Sequence, residues 1–177
     1  MARLDYNDMS AVSPEMAKEL AKRPAANIYR MLANGGSAAT GMLQLGSALR
    51  FGGSLDPIAL ELVVLRTGAL SGADYEIFHH KVLAREAGVA DDKISAALED
   101  GPDAPVFDAF EATLLRFTDE VVQDGKASEA SFAALAEYYG PEELIHTTLL
   151  IGYYMMASRF LQTFDVDLDE HAGGQPG

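Results

Sequence analysis

The stretch that decides the fold is residues 56–88, DPIALELVVLRTGALSGADYEIFHHKVLAREAG. Asp56-Pro57 is typical of a helix N-cap followed by proline in the first turn, and Ser71-Gly72 is typical of a helix end. Asp74 then begins a second helix, which Gly88 would end as the glycine that follows the last turn. The pattern therefore predicts two helices joined by a tight turn, which is a helical hairpin.

Three ionisable residues interrupt the apolar surfaces of this hairpin. At about 100° per residue, Glu76 and His80 fall on the apolar, small-residue face of the second helix rather than on its charged face. Glu61 lies eleven residues before Gly72 and His80 lies eight residues after it. At roughly 1.5 Å per residue, antiparallel packing brings Glu61 and His80 within about 5 Å of the same level. The spacing predicts a small polar pocket inside the hairpin.

Composition restricts the class of protein. The chain has 177 residues, 49% hydrophobic and 23% charged, and its net charge is −14. We expect one soluble domain over residues 1–177 with a flexible tail at 170–177, because the C-terminal residues are polar and rich in glycine. Such an acidic surface repels nucleic acids and anionic membranes. No secretory signal is visible, which predicts a cytoplasmic protein.

The chain contains no cysteine. Disulfides, thiolate metal sites and any thiol-based peroxidase cycle are therefore excluded. None of the stronger zinc-binding spacings is present either, so the sequence predicts no metal site.

Helix signals recur along the rest of the chain, and no segment alternates with the period of a strand. These features predict an all-α, multi-helix bundle. One helix is expected from about residue 105 to residue 123. The last helix, over about residues 141–164, is apolar on nearly all sides, so we expect one side in the core and another against a second copy of the chain.

Five segments carry a resemblance to a known family. They are ELVVLR (61–66), ADYEIFHH (73–80), AREAGV (84–89), NIYRML (27–32) and GYYMM (152–156). Together they resemble the carboxymuconolactone decarboxylase superfamily, which includes the alkylhydroperoxidase D-like (AhpD-like) proteins. The resemblance implies an all-α fold of the AhpD-like type with a central helical hairpin, assembly as a homotrimer or homohexamer, and no cofactor.

The resemblance also indicates which branch of the family fits. In the peroxidase branch two cysteines stand where this chain has Ala73 and Glu76, so that redox chemistry is not implied here. The branch with a Tyr-Glu-x-x-x-His motif fits through Tyr75, Glu76 and His80. It implies lyase chemistry akin to lactone decarboxylation, in the setting of aromatic-compound catabolism.

The site hypothesis is general acid/base catalysis on a small anionic substrate that contains a carbonyl group. Histidine titrates near neutral pH, so His80 can give or take the proton, assisted by Glu76 and Glu61. Three alternatives stay open. The three residues could be a buried structural network, the chain could be a non-enzymatic oligomeric binding protein, or the same residues could serve a metal-dependent hydrolase or oxygen-handling enzyme.

Further residues are expected at the substrate. Tyr75 and His79 lie on the flank of the second hairpin helix, and Tyr154 of the last helix could form a wall of the pocket. An anionic substrate also needs a cation, which Arg50, Arg66 or an arginine from a neighbouring subunit would have to provide.

Overall fold

The computed structural model describes residues 1–172 of the chain. Within them the fold is all-α, as predicted, and no strand is present. The helices are α1 Pro14–Leu20, α2 Asn27–Leu32, α3 Gly36–Phe51, α4 Pro57–Leu70, α5 Asp74–Ala87, α6 Asp91–Glu99, α7 Ala109–Asp124, α8 Glu129–Ala136 and α9 Pro141–Thr163, with 3₁₀ turns at Ala33–Gly35 and Gly101–Asp103. The tail predicted to be flexible falls largely on residues 173–177, which lie outside the described residues.

Helix α4 forms the centre of the bundle. Every residue from 59 to 68 is buried, and the helix packs against α5, α6, α7 and α9. Such a helix has no polar side to turn to water, which accounts for the nearly continuous apolar sequence between Pro57 and Leu70. A second apolar cluster, formed by α1, α2 and α3, lies apart from this core.

The α4–α5 hairpin forms as its sequence predicts. Asp56 caps α4, because its carboxylate accepts a hydrogen bond from the Ile58 amide at 2.9 Å. The turn passes through Gly72 at a φ of +63°, and α5 ends at Gly88 with a φ of +99°. Both values lie in the left-handed region that glycine adopts without a steric penalty.

The predicted start of α7 was wrong. The sequence was expected to turn helical at about residue 105, but the helix begins at Ala109. A capping box sets this start: Glu111 donates its amide to the Asp108 carboxylate at 2.9 Å, and Asp108 donates its amide to the Glu111 carboxylate at 3.0 Å. These two bonds satisfy amides that would otherwise lack partners at the helix start.

The last helix, α9, has two different sides. Leu150, Ile151 and Tyr154 are buried in the core beside α4, whereas Ile145 and Leu149 are exposed. The expectation of one side in the core is confirmed, and contact with another copy stays a prediction. Among residues 1–172 no helix is both long enough and apolar enough to cross a membrane.

After α9 the chain turns back over the N-terminal segment. Arg3 donates its amide to the Phe164 carbonyl at 2.9 Å, and the Asp167 amide donates to the Tyr6 hydroxyl at 2.9 Å. Asn27, at the start of α2, donates its amide to the Asp169 carboxylate at 2.8 Å. These bonds bring the segment 165–169 beside the N-terminal segment and α2.

Candidate active site

A cavity of about 260 Å³ lies between α2, α3, α5 and α9. Five of the six residues predicted for the site lie on its wall, namely Tyr75, Glu76, His79, His80 and Tyr154. The rest of the wall is mainly apolar and aromatic. A pocket with a few polar groups on an apolar wall is typical of small-molecule sites.

His80 lies between the two glutamates. Its Nδ1 is 2.6 Å from Glu61 Oε2 on the facing helix, and its Nε2 is 3.4 Å from Glu76 Oε2 one turn earlier on α5. All three side chains are buried. The structure thus brings the three residues together, as the hairpin spacing predicts. Glu61 does not reach the cavity wall and contacts the cavity only through its neighbours.

Arg50 of α3 contacts the other oxygen of Glu61. Arg50 Nη2 donates to Glu61 Oε1 at 2.9 Å, and Nη1 donates to the Tyr154 hydroxyl at 3.0 Å. Burial acts against ionisation of Glu61, but His80 and Arg50 together outweigh it and hold the pKa of its carboxyl below the usual value. The ionised Glu61 therefore accepts the hydrogen on His80 Nδ1, and this leaves Nε2 to face Glu76 and the cavity.

Glu76 experiences the opposite balance. Within the described residues its carboxyl forms no ion pair with a lysine or an arginine, and it lies 3.4 Å from the His80 Nε2 atom. Burial raises the pKa of Glu76; His80 and Arg50 lower it, but by less. Two carboxyl groups around one imidazole are thus biased in opposite directions, a pattern often found at functional sites.

Tyr75 and His79 are both held by Asp169, a residue that sequence reasoning missed. The Tyr75 hydroxyl donates to Asp169 Oδ2, and His79 Nε2 lies 2.9 Å from the same oxygen. The Tyr75 hydroxyl also accepts the Ile28 amide at 3.2 Å. Asp169 lies ninety residues after His79, in a segment without regular secondary structure. No helical spacing could have connected the two.

The two candidate arginines have different positions. Arg50 lies on the cavity wall, whereas Arg66 does not. Arg66 donates to both oxygens of Asp119 on α7, from Nε at 2.6 Å and from Nη2 at 2.8 Å. Lys22 and Arg23 also lie on the cavity wall, and neither was predicted; of the two candidate arginines, the one available to an anionic ligand is Arg50. Arg50 was among the arginines predicted to bind an anionic substrate, but its bonds to Glu61 and Tyr154 were not predicted.

The site offers little to a metal ion. In the part of the chain that the structure describes, no three His, Cys, Asp or Glu side chains are arranged to hold one. His80 Nδ1 and Glu61 Oε2 point at each other as a hydrogen-bonded pair, rather than towards a common centre. The donor geometry therefore does not support the metal-dependent alternative.

Comparison with protein families and solved structures shows which known proteins the chain is similar to. Residues 37–120 match the model of the carboxymuconolactone decarboxylase family. This segment includes Arg50, Glu61 and His80, while Tyr154 and Asp169 lie beyond it. No curated protein matches the chain significantly.

Solved structures share the fold at low sequence identity. An AhpD-core, peroxidase-related protein from Ralstonia eutropha JMP134 is 17% identical with a TM-score of 0.84, over 99% of this chain and 98% of that one. A peroxidase-related protein from Silicibacter sp. TM1040 is 15% identical with a TM-score of 0.80, over 98% and 95%. A variant of the debrominase Bmp8 in complex with 2,3,4-tribromopyrrole is 19% identical with a TM-score of 0.71, over 88% and 82%.

These findings agree with the resemblance seen in the sequence. The family model covers the hairpin and its Glu and His residues, and the structural matches extend over nearly the whole chain. Residues 37–120, just under half of the chain, are similar to the carboxymuconolactone decarboxylase family, and the chain has the AhpD-like fold.

Proposed function

We propose that the protein is a cofactor-independent lyase or isomerase of the carboxymuconolactone decarboxylase type. In this proposal His80 is the general acid/base, and the substrate is a small acid that contains a carbonyl group or a lactone. One observation carries the proposal: His80 lies at the wall of the cavity with Nδ1 bonded to Glu61 at 2.6 Å and Nε2 facing Glu76 at 3.4 Å.

This arrangement supports His80 Nε2 as the atom that exchanges the proton. Ionised Glu61 keeps a hydrogen on His80 Nδ1 and holds the ring in place, so the variable proton belongs to Nε2. Arg50 in turn holds Glu61, and the edge-on contact between the Tyr154 and His80 rings, 5.0 Å between centroids, limits rotation of the imidazole. In this proposal Glu61 is a positioning residue, His80 and Glu76 touch the substrate, and Arg50 both holds Glu61 and faces the cavity.

Decarboxylation of an unsaturated lactone acid would proceed in two steps. The bond between carbon and the carboxylate breaks, carbon dioxide leaves, and the electron pair passes into the conjugated carbonyl system. Protonated His80 then gives its Nε2 proton to carbon, and a proton from water restores the imidazolium. Glu76, whose pKa is raised by burial, is a second candidate acid beside the same atom. An isomerisation would use the same atom first as base and then as acid.

The cavity also supports a class of substrate. At about 260 Å³ it suits a single small ring, and its aromatic wall favours a planar one. Arg50 would attract one carboxylate, while Tyr75, His79 and Tyr154 would contact the ring or its oxygens. The neighbour Bmp8 was solved with 2,3,4-tribromopyrrole, a ring of similar size. We also propose that the protein is a homo-oligomer.

The second candidate is a binding protein without catalysis. The observation that favours it is the mutual pairing of Arg50, Glu61 and His80, because a paired network can stabilise helix packing without taking part in a reaction.

Solvent exchange and decarboxylation assays test the proposal. Purified protein is incubated in D₂O with a panel of unsaturated lactone acids and 2-oxo acids, and ¹H NMR follows carbon-bound deuterium and loss of the carboxylate. We expect wild-type turnover of at least one acid. His80→Ala should lower its rate by about 10²- to 10⁴-fold with unchanged helical circular dichroism.

His171→Ala is the matched control, since His171 is exposed and lies off the cavity. Full turnover by His80→Ala would refute the assignment. Saturable binding of a panel member by the wild type, with neither exchange nor decarboxylation, would favour the binding protein.

A further inference from the structure

The outward side of α9 presents an exposed stripe whose residues are spaced three or four apart. The stripe residues are Glu142, Ile145, Leu149, Gly152, Met156 and Arg159. This spacing places them on one face over about five turns of helix. We call this set the α9 stripe.

The middle of the α9 stripe is apolar and open. Ile145 is 62% exposed, Leu149 is 49% exposed and Met156 is 43% exposed. No ionisable residue lies between Glu142 and Arg159 on the stripe, although the chain carries a net charge of −14. An uncharged apolar face with charged ends is typical of a protein–protein contact.

The neighbouring helix α3 widens this face. Tyr153 of α9 packs over Gly46, and His146 bonds the Leu49 carbonyl at 2.8 Å and packs on Gly53, so the two helices run antiparallel. From these contacts, a helical projection places Leu45 of α3 on the same side as the stripe. Leu45 is also exposed.

The α9 stripe is complementary to itself when two copies run antiparallel. With a two-fold axis midway between Leu149 and Gly152, Leu149 of each copy faces Gly152 of the other. A Cβ added at Gly152 meets no atom within 4 Å, so the space above this glycine is open to a leucine side chain. In the same register Ile145 faces Met156.

The ends of the stripe agree with this register. Glu142 of one copy faces Arg159 of the other, so each end forms an oppositely charged pair. A parallel arrangement would instead place Glu142 against Glu142 and Arg159 against Arg159, which is repulsive. Since a two-fold contact pairs residue i with j and j with i, the six positions satisfy the condition for an isologous interface.

We propose that α9 packs antiparallel against α9 of a second copy of this chain, about a two-fold axis between Leu149 and Gly152. The proposal fixes the surface, the symmetry and the register of self-association, and it does not depend on the proposed chemistry, because the cavity lies on another side of α3. It is compatible with a dimer or with a larger assembly that contains two-fold contacts.

Disulfide trapping tests the register directly, because the natural chain has no cysteine. Ile145→Cys and Met156→Cys are made as separate variants and then mixed. We expect a disulfide-linked dimer under mild oxidation in the mixture and not in either variant alone, since like positions lie about 16 Å apart along antiparallel helices. Rapid linkage within one variant alone, or none in the mixture, would overturn the register.

Charge reversal provides an independent measurement by sedimentation velocity. Glu142→Arg alone and Arg159→Glu alone should each weaken self-association at least tenfold, and the double variant should restore it. Leu168→Glu is the control, because Leu168 is exposed but lies outside α9. A wild type that is monomeric at 100 μM, or a double variant as weak as the singles, would contradict the proposal.

Discussion

His80 contacts two glutamates whose pKa values the protein shifts in opposite directions. Glu61 has a lowered pKa, because His80 and Arg50 outweigh the effect of its burial. Glu76 has a raised pKa, because burial dominates there. The residues are chemically identical, so the difference comes from position alone: Glu61 lies within reach of the Arg50 guanidinium, and Glu76 does not bond to it. At the residue scale, the close contact with His80 at 2.6 Å and the bond from Arg50 together distinguish Glu61 from Glu76.

The lowered pKa of Glu61 predicts how its contribution to folding stability changes with pH. A carboxyl that ionises more easily in the folded state stabilises the fold above the ordinary glutamate pKa, and this stabilisation is lost as the pH falls through the lowered value. Glu61→Gln should therefore destabilise the protein by roughly 3–5 kcal/mol near pH 7, because Arg50 loses its buried partner. The penalty should shrink as the pH falls towards 3. Urea unfolding between pH 3 and pH 8 measures it.

Glu76→Gln is the matched comparison, and its effect on stability should change with pH in the opposite direction. A raised folded pKa means that Glu76 stabilises the fold only while protonated, and the stability declines as the pH rises from the ordinary glutamate range through the raised value. The Gln variant should therefore gain stability relative to wild type as the pH rises. Parallel pH profiles for the two variants would contradict the opposite pKa shifts of Glu61 and Glu76.

The residues of the site were only partly predictable. The meeting of Glu61, Glu76 and His80 follows from two helices and one turn, all local in sequence. The bonds of Arg50 depend on how α3 packs against the hairpin, and helical periodicity does not encode this. Asp169 lies in a segment with no periodicity, so nothing in the sequence connected it with Tyr75.

At the scale of elements, the site combines the α4–α5 hairpin, which the sequence predicts, with the segment 165–169, which it does not predict. The hairpin begins and ends at capping residues that the sequence displays, and its limits were predicted closely. Helix α7 begins at Ala109 rather than at about residue 105, because the capping box of Asp108 and Glu111 sets its start. The segment 165–169 after α9 has no local signal, yet it holds one wall of the cavity through Tyr75 and His79.

Replacing single aspartates measures how much the bonds of the segment 165–169 contribute to stability. Asp169→Asn removes the charge that accepts bonds from Tyr75 and from the Asn27 amide. We expect a loss of about 1.5–3 kcal/mol in unfolding free energy, since these are charge-assisted bonds to a largely buried group. Asp165→Asn is the control, because its pair with Arg3 is exposed and should contribute below about 1 kcal/mol. Equal losses of unfolding free energy in the two variants would show that the bonds at Asp169 stabilise the fold no more than an exposed ion pair does.

At the scale of the whole molecule, a second buried charge network holds the bundle together away from the cavity. Arg66 on the central helix binds both oxygens of Asp119 on α7 and donates to the Ala97 carbonyl of α6 at 3.2 Å. Its guanidinium lies against Gly101, where a Cβ would come within 2.5 Å of Nη2. One side chain therefore connects three helices and the turn between two of them.

Arg66→Ala should be among the most destabilising single changes. It leaves Asp119 largely buried without its partner, which typically costs about 3–5 kcal/mol. Arg116→Ala removes the same side chain from an exposed pair with Asp103 and should cost less than about 1 kcal/mol. Thermal unfolding of both variants measures the difference. A loss at Arg66 as small as that at Arg116 would mean that the network adds little to stability.

The separations along the chain also imply an order of folding. Glu61 and His80 are nineteen residues apart, whereas His79 and Asp169 are ninety apart. Closing the longer loop costs about 1.4 kcal/mol more chain entropy by the logarithmic rule. Short loops also close within about a microsecond. The histidine–glutamate pair can thus form while most of the polypeptide is still unfolded, and the aspartate joins its wall of the cavity late, once α9 has docked.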